Sequence, residues 1–281
     1  MLATLFTVCL VVFIYLHVVY QLRTSNDLEL FELDMPEKSR LEEVCGMRQP
    51  LLLEHGVDEF AQCNPAHFRY DAFDINVVDP AGESVPLSVA KAHALFAKST
   101  HYTERNADFL KETMLHRVYE KNDGLLRPPM VAKIRYDLLF GAPGACTKLR
   151  YSDWYRNYFL VVAGEVTVKL APPRNARFLH VEKDYLTEDF YSHANAWDDV
   201  PKVKFLETVI KPGQMLFVPA YWWYSFKLGK DACIVAFQYR TLMNVVATLP
   251  DTLMGILQRQ NTRLVTLKPV ETDSSGSDTA N

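Results

Sequence analysis

Between Thr147 and Asn157 the chain carries Arg150, Asp153 and Arg156, two guanidinium groups and a carboxylate in one short segment. A guanidinium presents a planar fork of donors that matches a carboxylate or phosphate, so the segment suits either an internal ion-pair network or the binding of a small anion. Both readings stay open. The histidines His55, His67, His93, His101, His116, His180 and His193 are scattered without metal-ligand spacing, and only His180 and His193 with Asp184 or Asp189 form a grouping to inspect for a metal. Trp222 and Trp223, followed by Tyr224, supply the large apolar area of a core.

Other chemistries find no support. There is no nucleophile elbow for a serine or cysteine hydrolase, and no equivalent motif for a paired-carboxylate one. A net charge of -4 and no basic block with interleaved aromatics argue against nucleic acid as a partner. Cys45, Cys63, Cys146 and Cys233 lack CxxC spacing and read as reduced thiols rather than disulfide or zinc ligands.

The elements that must position the polar segment are mostly strands. Met130 to Phe140, Asn157 to Ala163, Glu165 to Leu170, Val203 to Ile210, Met215 to Val218, Trp222 to Leu228 and Ala232 to Tyr239 are short apolar runs separated by Gly and Pro turns. The turn at Ala163-Gly164 predicts a hairpin between the second and third of these runs. Upstream, Gln49 to Glu54 and Phe68 to Val77 read as strands, Leu41 to Gly46 as a short helix, Ser84 to Ser99 as a helix, and Asn106 as the N-cap of a helix over Ala107 to Leu115. Leu242 to Gln258 is read as a closing helix. The pattern predicts a mainly β, double-sheet jelly roll with flanking helices.

Leu2 to Tyr20 is almost unbroken apolar sequence without a charged side chain, about long enough at ~1.5 Å per residue to cross a hydrocarbon layer. It reads as a transmembrane anchor rather than a cleaved signal, because no basic segment precedes it and no small residue marks a cleavage site after His17. Arg23 follows the span and no Lys or Arg precedes it, which places the rest of the chain in the cytosol. The organisation expected is an anchor over 1–22, a juxtamembrane spacer over 23–40, a folded domain over 41–260, and a Ser/Thr/Asp-rich disordered tail over 261–281.

The ordered motifs Thr147-Lys-Leu-Arg150, Arg156-Asn-Tyr-Phe159, Pro172-Pro173 and Pro219-Ala-Tyr-Trp-Trp223 resemble the cupin-like branch of the Jumonji C fold, whose members include iron- and 2-oxoglutarate-dependent hydroxylases. The chain is also similar to membrane-anchored cupin-like proteins of large DNA viruses, which implies a viral or virus-modified membrane. In such hydroxylases two histidines and a carboxylate hold Fe(II). The resemblance puts Arg150 at the first histidine position, Ser152 at the carboxylate with Asp153 one step displaced, and Tyr224 at the second histidine. Val166 stands where a lysine commonly holds 2-oxoglutarate, while Thr147 and Asn157 keep matching types, and Lys169 is expected to be solvated. An arginine offers a metal no lone pair. The resemblance therefore implies a non-catalytic binding or scaffolding module without cofactor, its degenerate pocket built from Thr147, Arg150, Asp153, Arg156, Asn157 and Tyr224. The alternative is an Fe(II)/2-oxoglutarate-dependent protein hydroxylase with an atypical site. A protein partner or a small anionic ligand is expected besides the membrane.

Overall fold

The computed structural model describes residues 1–185 and 188–261. Its strands are β1 (Phe31–Leu33), β2 (Leu51–Glu54), β3 (Asp74–Val78), β4 (Ser84–Ser88), β5 (Tyr102–Thr103), β6 (Val131–Gly141), β7 (Arg150–Ser152) and β8 (Arg156–Ala163). They continue with β9 (Val166–Ala171), β10 (Val181–Asp184), β11 (Asp189–Ser192), β12 (Leu206–Ile210), β13 (Gln214–Pro219), β14 (Trp223–Leu228) and β15 (Cys233–Thr241). One sheet runs β1-β2-β13-β8-β15-β6-β5-β3-β4 and the other β10-β11-β7-β14-β9-β12.

The central strands β8, β13 and β15 are buried along almost their whole length, which is why they read as unbroken apolar runs rather than alternating ones. One face of this sheet meets the second sheet, with Phe159 of β8 packed on Tyr224 and Phe226 of β14 at ring-centroid distances of 5.2 and 4.9 Å. The other face is covered by flanking helical turns. Phe60 of the turn Asp58–Cys63 and Tyr119 of the helix His116–Asn122 pack against Phe237 of β15 at 5.7 and 5.2 Å. The architecture is a two-sheet sandwich with flanking helices, as the strand pattern predicts.

Several local expectations change. The expected hairpin over Asn157 to Leu170 does not form, because β8 pairs with β13 and β15 in one sheet while β9 pairs with β12 and β14 in the other. Gly164 carries the chain across from one sheet to the other at φ 65°, where an added Cβ would lie 2.5 Å from the Lys230 carbonyl oxygen. The expected helix from Ser84 begins as an edge strand, β4, which tolerates Pro86; the helix itself is Val89–Phe96. Only Asp74–Val78 of the strand expected from Phe68 forms a strand; Phe68 and Tyr70 instead pack at an angle against the Phe109 ring. Within the segment read as a spacer, β1 adds a parallel strand to β2 and sets Phe31 and Leu33 on the core.

The closing region is two helices, Leu242–Ala247 and Leu249–Asn261. Beyond residue 261, the expected disordered tail lies outside the described residues. The apolar N-terminus forms one helix, Leu2–Leu22, whose most apolar window has a mean hydropathy of 2.5 and none of its residues buried. Such a helix is either a membrane anchor or a signal sequence. Its C-terminal end is seated on the domain: Gln21 is buried, and the Arg48 guanidinium lies 5.6 Å from the Tyr20 ring.

Candidate functional site

Strand β7 lies between β11 and β14, so Arg150 sits directly opposite Tyr224 across the β7–β14 ladder. The Arg150 guanidinium carbon is 5.5 Å from the centre of the Tyr224 ring. Both side chains point between the sheets. There Arg150 Nη1 meets Glu104 Oε2 at 2.6 Å, with both side chains 6% exposed. Glu104 is delivered by a turn that Asp137 holds in place, its carboxylate accepting the backbone N–H groups of Arg105 and Asn106 at 2.7 Å. Burial pushes the Asp137 carboxyl above the ordinary carboxylate range despite these donors. Asn106 does not cap the helix Ala107–Glu112 with its side chain; its amide turns inward to Thr103 Oγ1 and the Leu138 carbonyl.

Arg150 and Tyr224 line a cavity of about 690 Å³ between the sheets. Its wall carries the cations Arg105, Lys111, Lys133, Arg135, Arg150 and Arg259. Three carboxylates, Glu120, Asp137 and Glu188, face them, and Lys133 bonds Glu188 at 3.2 Å. A relay of hydrogen bonds supports this wall: Arg135 Nε donates to Gln238 Oε1 at 2.6 Å, Gln238 Nε2 donates to Asn157 Oδ1 at 2.8 Å, and Asn157 Nδ2 donates to the Trp154 and Val218 carbonyls. The cavity combines more cationic than anionic side chains with apolar surface from Leu110, Leu139 and Phe159. That is the chemistry of a site for a small organic anion.

The charged side chains of the segment take three separate partners. Arg150 takes Glu104; Asp153 bonds Arg240; and Arg156 Nη2 bonds Glu42 Oε2 at 3.0 Å while its Nη1 donates to the Cys45 carbonyl at 2.9 Å. The reason is strand alternation and the break between β7 and β8 at Asp153 to Tyr155, which send the three side chains into different compartments. Thr147 is a brace, its Oγ1 accepting from Phe226 N at 2.9 Å and its carbonyl accepting from the Ser225 hydroxyl at 2.6 Å. Ser152 accepts from Trp154 N at 3.2 Å. Lys169 lies on the outer face of β9 as parity requires, but is covered rather than solvated, donating to the Ala196 carbonyl at 3.2 Å. Trp222 and Trp223 are both fully buried. His193 is 75% exposed beside Glu182, and among the described residues no group of three His, Cys, Asp or Glu side chains is arranged to hold a metal ion.

Glu104, Arg135, Asp137, Gln238 and Arg240 are the polar residues around the site that sequence reasoning passed over. Arg135 and Asp137 had a signal, two charges spaced by two within an apolar strand, as did the polar pair Gln238 and Arg240 near the end of Cys233–Thr241.

A family model described as the cupin-like domain matches residues 68–243, more than half of the chain. The chain belongs to the cupin-like domain family. No curated protein matches it. The matched region of this cupin-like protein contains the cavity lining from Arg105 to Gln238, while Arg259 comes from the helix beyond it. An iron and 2-oxoglutarate centre of the hydroxylase type needs two imidazoles and a carboxylate. At the positions the resemblance assigns to the imidazoles, Arg150 is a permanent cation already paired with Glu104, and Tyr224 is a phenol against Phe159 and Phe226. Val166 is buried in the apolar core and offers no cation to a dicarboxylate. These residues do not fit that centre.

Proposed function

We propose that this cupin-like protein is a membrane-anchored, non-catalytic binding module whose inter-sheet cavity receives a small organic anion. The observation that carries the reading is the cavity wall, where Arg105, Lys111 and Arg135 stand beside the Glu104-paired Arg150. Arginine is suited to carboxylate and phosphate recognition and unsuited to holding a divalent metal. The length and apolarity of the helix Leu2–Leu22 support a membrane anchor, and Arg23 after it supports a cytosolic domain. A viral or virus-modified membrane rests on the resemblance alone. No nucleic-acid partner is proposed, and nothing favours the hydroxylase alternative.

The test is thermal unfolding of the detergent-solubilised full chain with inorganic phosphate, succinate or 2-oxoglutarate at millimolar concentration, with and without Fe(II). At least one anion is expected to raise the Tm independently of iron, and Arg105→Gln to lose most of that rise while Arg105→Lys keeps part of it. No rise with any anion, or a rise that requires Fe(II), would overturn the reading.

A further inference from the structure

The helix Leu249–Asn261 is amphipathic in the reverse sense. Its polar side faces the domain: Asp251 and Thr252 lie beside Asp153 and Arg240, Gln258 Oε1 accepts from Tyr185 N at 3.1 Å, and Gly255 is buried where an added Cβ would meet the Tyr185 carbonyl oxygen at 3.0 Å. Its apolar side faces outward. Leu249, Leu253, Ile256 and Leu257 are each about half exposed, at 49, 52, 50 and 52%. A helix that meets water on its outer side carries polar residues there.

The stripe does not stop at this helix. Leu242 and Val246, at 49 and 42% exposure, extend it along Leu242–Ala247, the helix against which the apolar N-terminal helix packs. At ~100° per residue, Leu249, Leu253, Met254, Ile256 and Leu257 sweep roughly 160° of arc on the second helix, with Gln260 the polar residue among them in its last turn. A two-stranded coiled-coil seam uses a narrower stripe. A wide apolar face with its polar side turned away is what a helix lying in a lipid interface presents.

We propose that Leu249–Asn261 is a second membrane contact, lying in the headgroup region beside the anchor with Leu253 and Leu257 in the acyl boundary. The inference rests on the anchor reading of Leu2–Leu22, since that helix is the structure's link between this face and a bilayer. It gives the domain a fixed tilt on the membrane rather than a free tether.

The full chain, in a Cys9→Ala, Cys146→Ala background, is given a single Leu253→Cys or Leu257→Cys and labelled with an environment-sensitive fluorophore; the remaining cysteines are buried. Glu83→Cys, at an exposed position, serves as the aqueous control. Each protein is reconstituted into phosphatidylcholine/phosphatidylserine vesicles with or without nitroxide-labelled lipid. The labels at 253 and 257 are expected to lose most of their emission to the nitroxide lipid and to be shielded from iodide, with the control showing the opposite. Any pattern without lipid quenching at 253 and 257 overturns the proposal. Quenching by iodide would mean an open face, and shielding from both quenchers with self-quenching between copies would mean a second copy of the chain. Retention of the same vesicle-bound protein through alkaline carbonate reports the anchor separately: retention without lipid quenching refutes the docking alone, and release refutes both.

Discussion

Arg150 Nη1 lies 2.6 Å from Glu104 Oε2 in a contact where both side chains are almost wholly removed from water. The pair joins the turn after β5 to β7 in the second sheet, so it fixes one wall of the cavity against the other. Burying two charges cancels much of their attraction, yet removing one partner leaves the other charge without its compensation. Glu104→Ala is therefore expected to destabilise the protein by about 3–5 kcal/mol, read from urea unfolding in detergent. Replacing both partners, Glu104→Leu with Arg150→Met, is expected to recover most of that loss. A double variant as unstable as the single one would contradict the compensation argument.

Asp153 gives the fold a pH dependence of unusual sign. Burial is the largest influence on its carboxyl and outweighs the Arg240 guanidinium, leaving it at about 6 against an ordinary 3.8. The folded state therefore binds this proton more tightly than the unfolded state does. Its contribution to stability is greatest below pH ~4, falls between pH ~4 and ~6 by up to about 3 kcal/mol, and stays lower above that. Urea midpoints from pH 4 to 7 for the native chain and Asp153→Asn are expected to show this decline in the difference between them. A difference that grows with pH would mean the ion pair with Arg240 outweighs burial.

Gly164 makes a separable test of how the sheets connect. Its φ of 65° and the 2.5 Å approach to the Lys230 carbonyl oxygen leave no room for a side chain. Gly164→Ala is expected to lower stability by more than ~1 kcal/mol. Gly144→Ala, with a φ of 83° but open space around it, should cost less. Equal losses at the two sites would mean that backbone strain alone, rather than close packing between sheets, constrains Gly164.

What the sequence showed of this molecule follows from what each signal depends on. The strands from Met130 to Tyr239 were legible because they are buried on one or both faces, and burial writes itself as apolar runs ended by Gly and Pro. Their partners were not legible: the turn at Gly164 looks the same whether the chain folds back within one sheet or crosses to another. Ser84 to Ser99 carries helical spacing in its second half, and the strand in its first half is set by pairing with β3, a long-range choice. In the site, the meeting of Arg150 with Tyr224 followed from the resemblance. The partner of Arg150 did not, because Glu104 lies far upstream and is brought in by Asp137, whose role depends on the folded turn.

The proposed anchoring by Leu2–Leu22 predicts an intact mass that includes this helix and a chain that stays with membranes through alkaline carbonate. A mature chain beginning near Thr24, or complete release, would identify the helix as a signal sequence instead.

Arg150 and Tyr224 stand where a metal-binding pair would be, and the proposed role of the cavity is binding rather than oxidation. Elemental analysis of the purified full chain after anaerobic iron loading, run beside a succinate-release assay with 2-oxoglutarate, tests it most directly. Iron far below one equivalent and no succinate above background are expected. Near-stoichiometric iron with substrate-dependent succinate would contradict it and restore the hydroxylase reading.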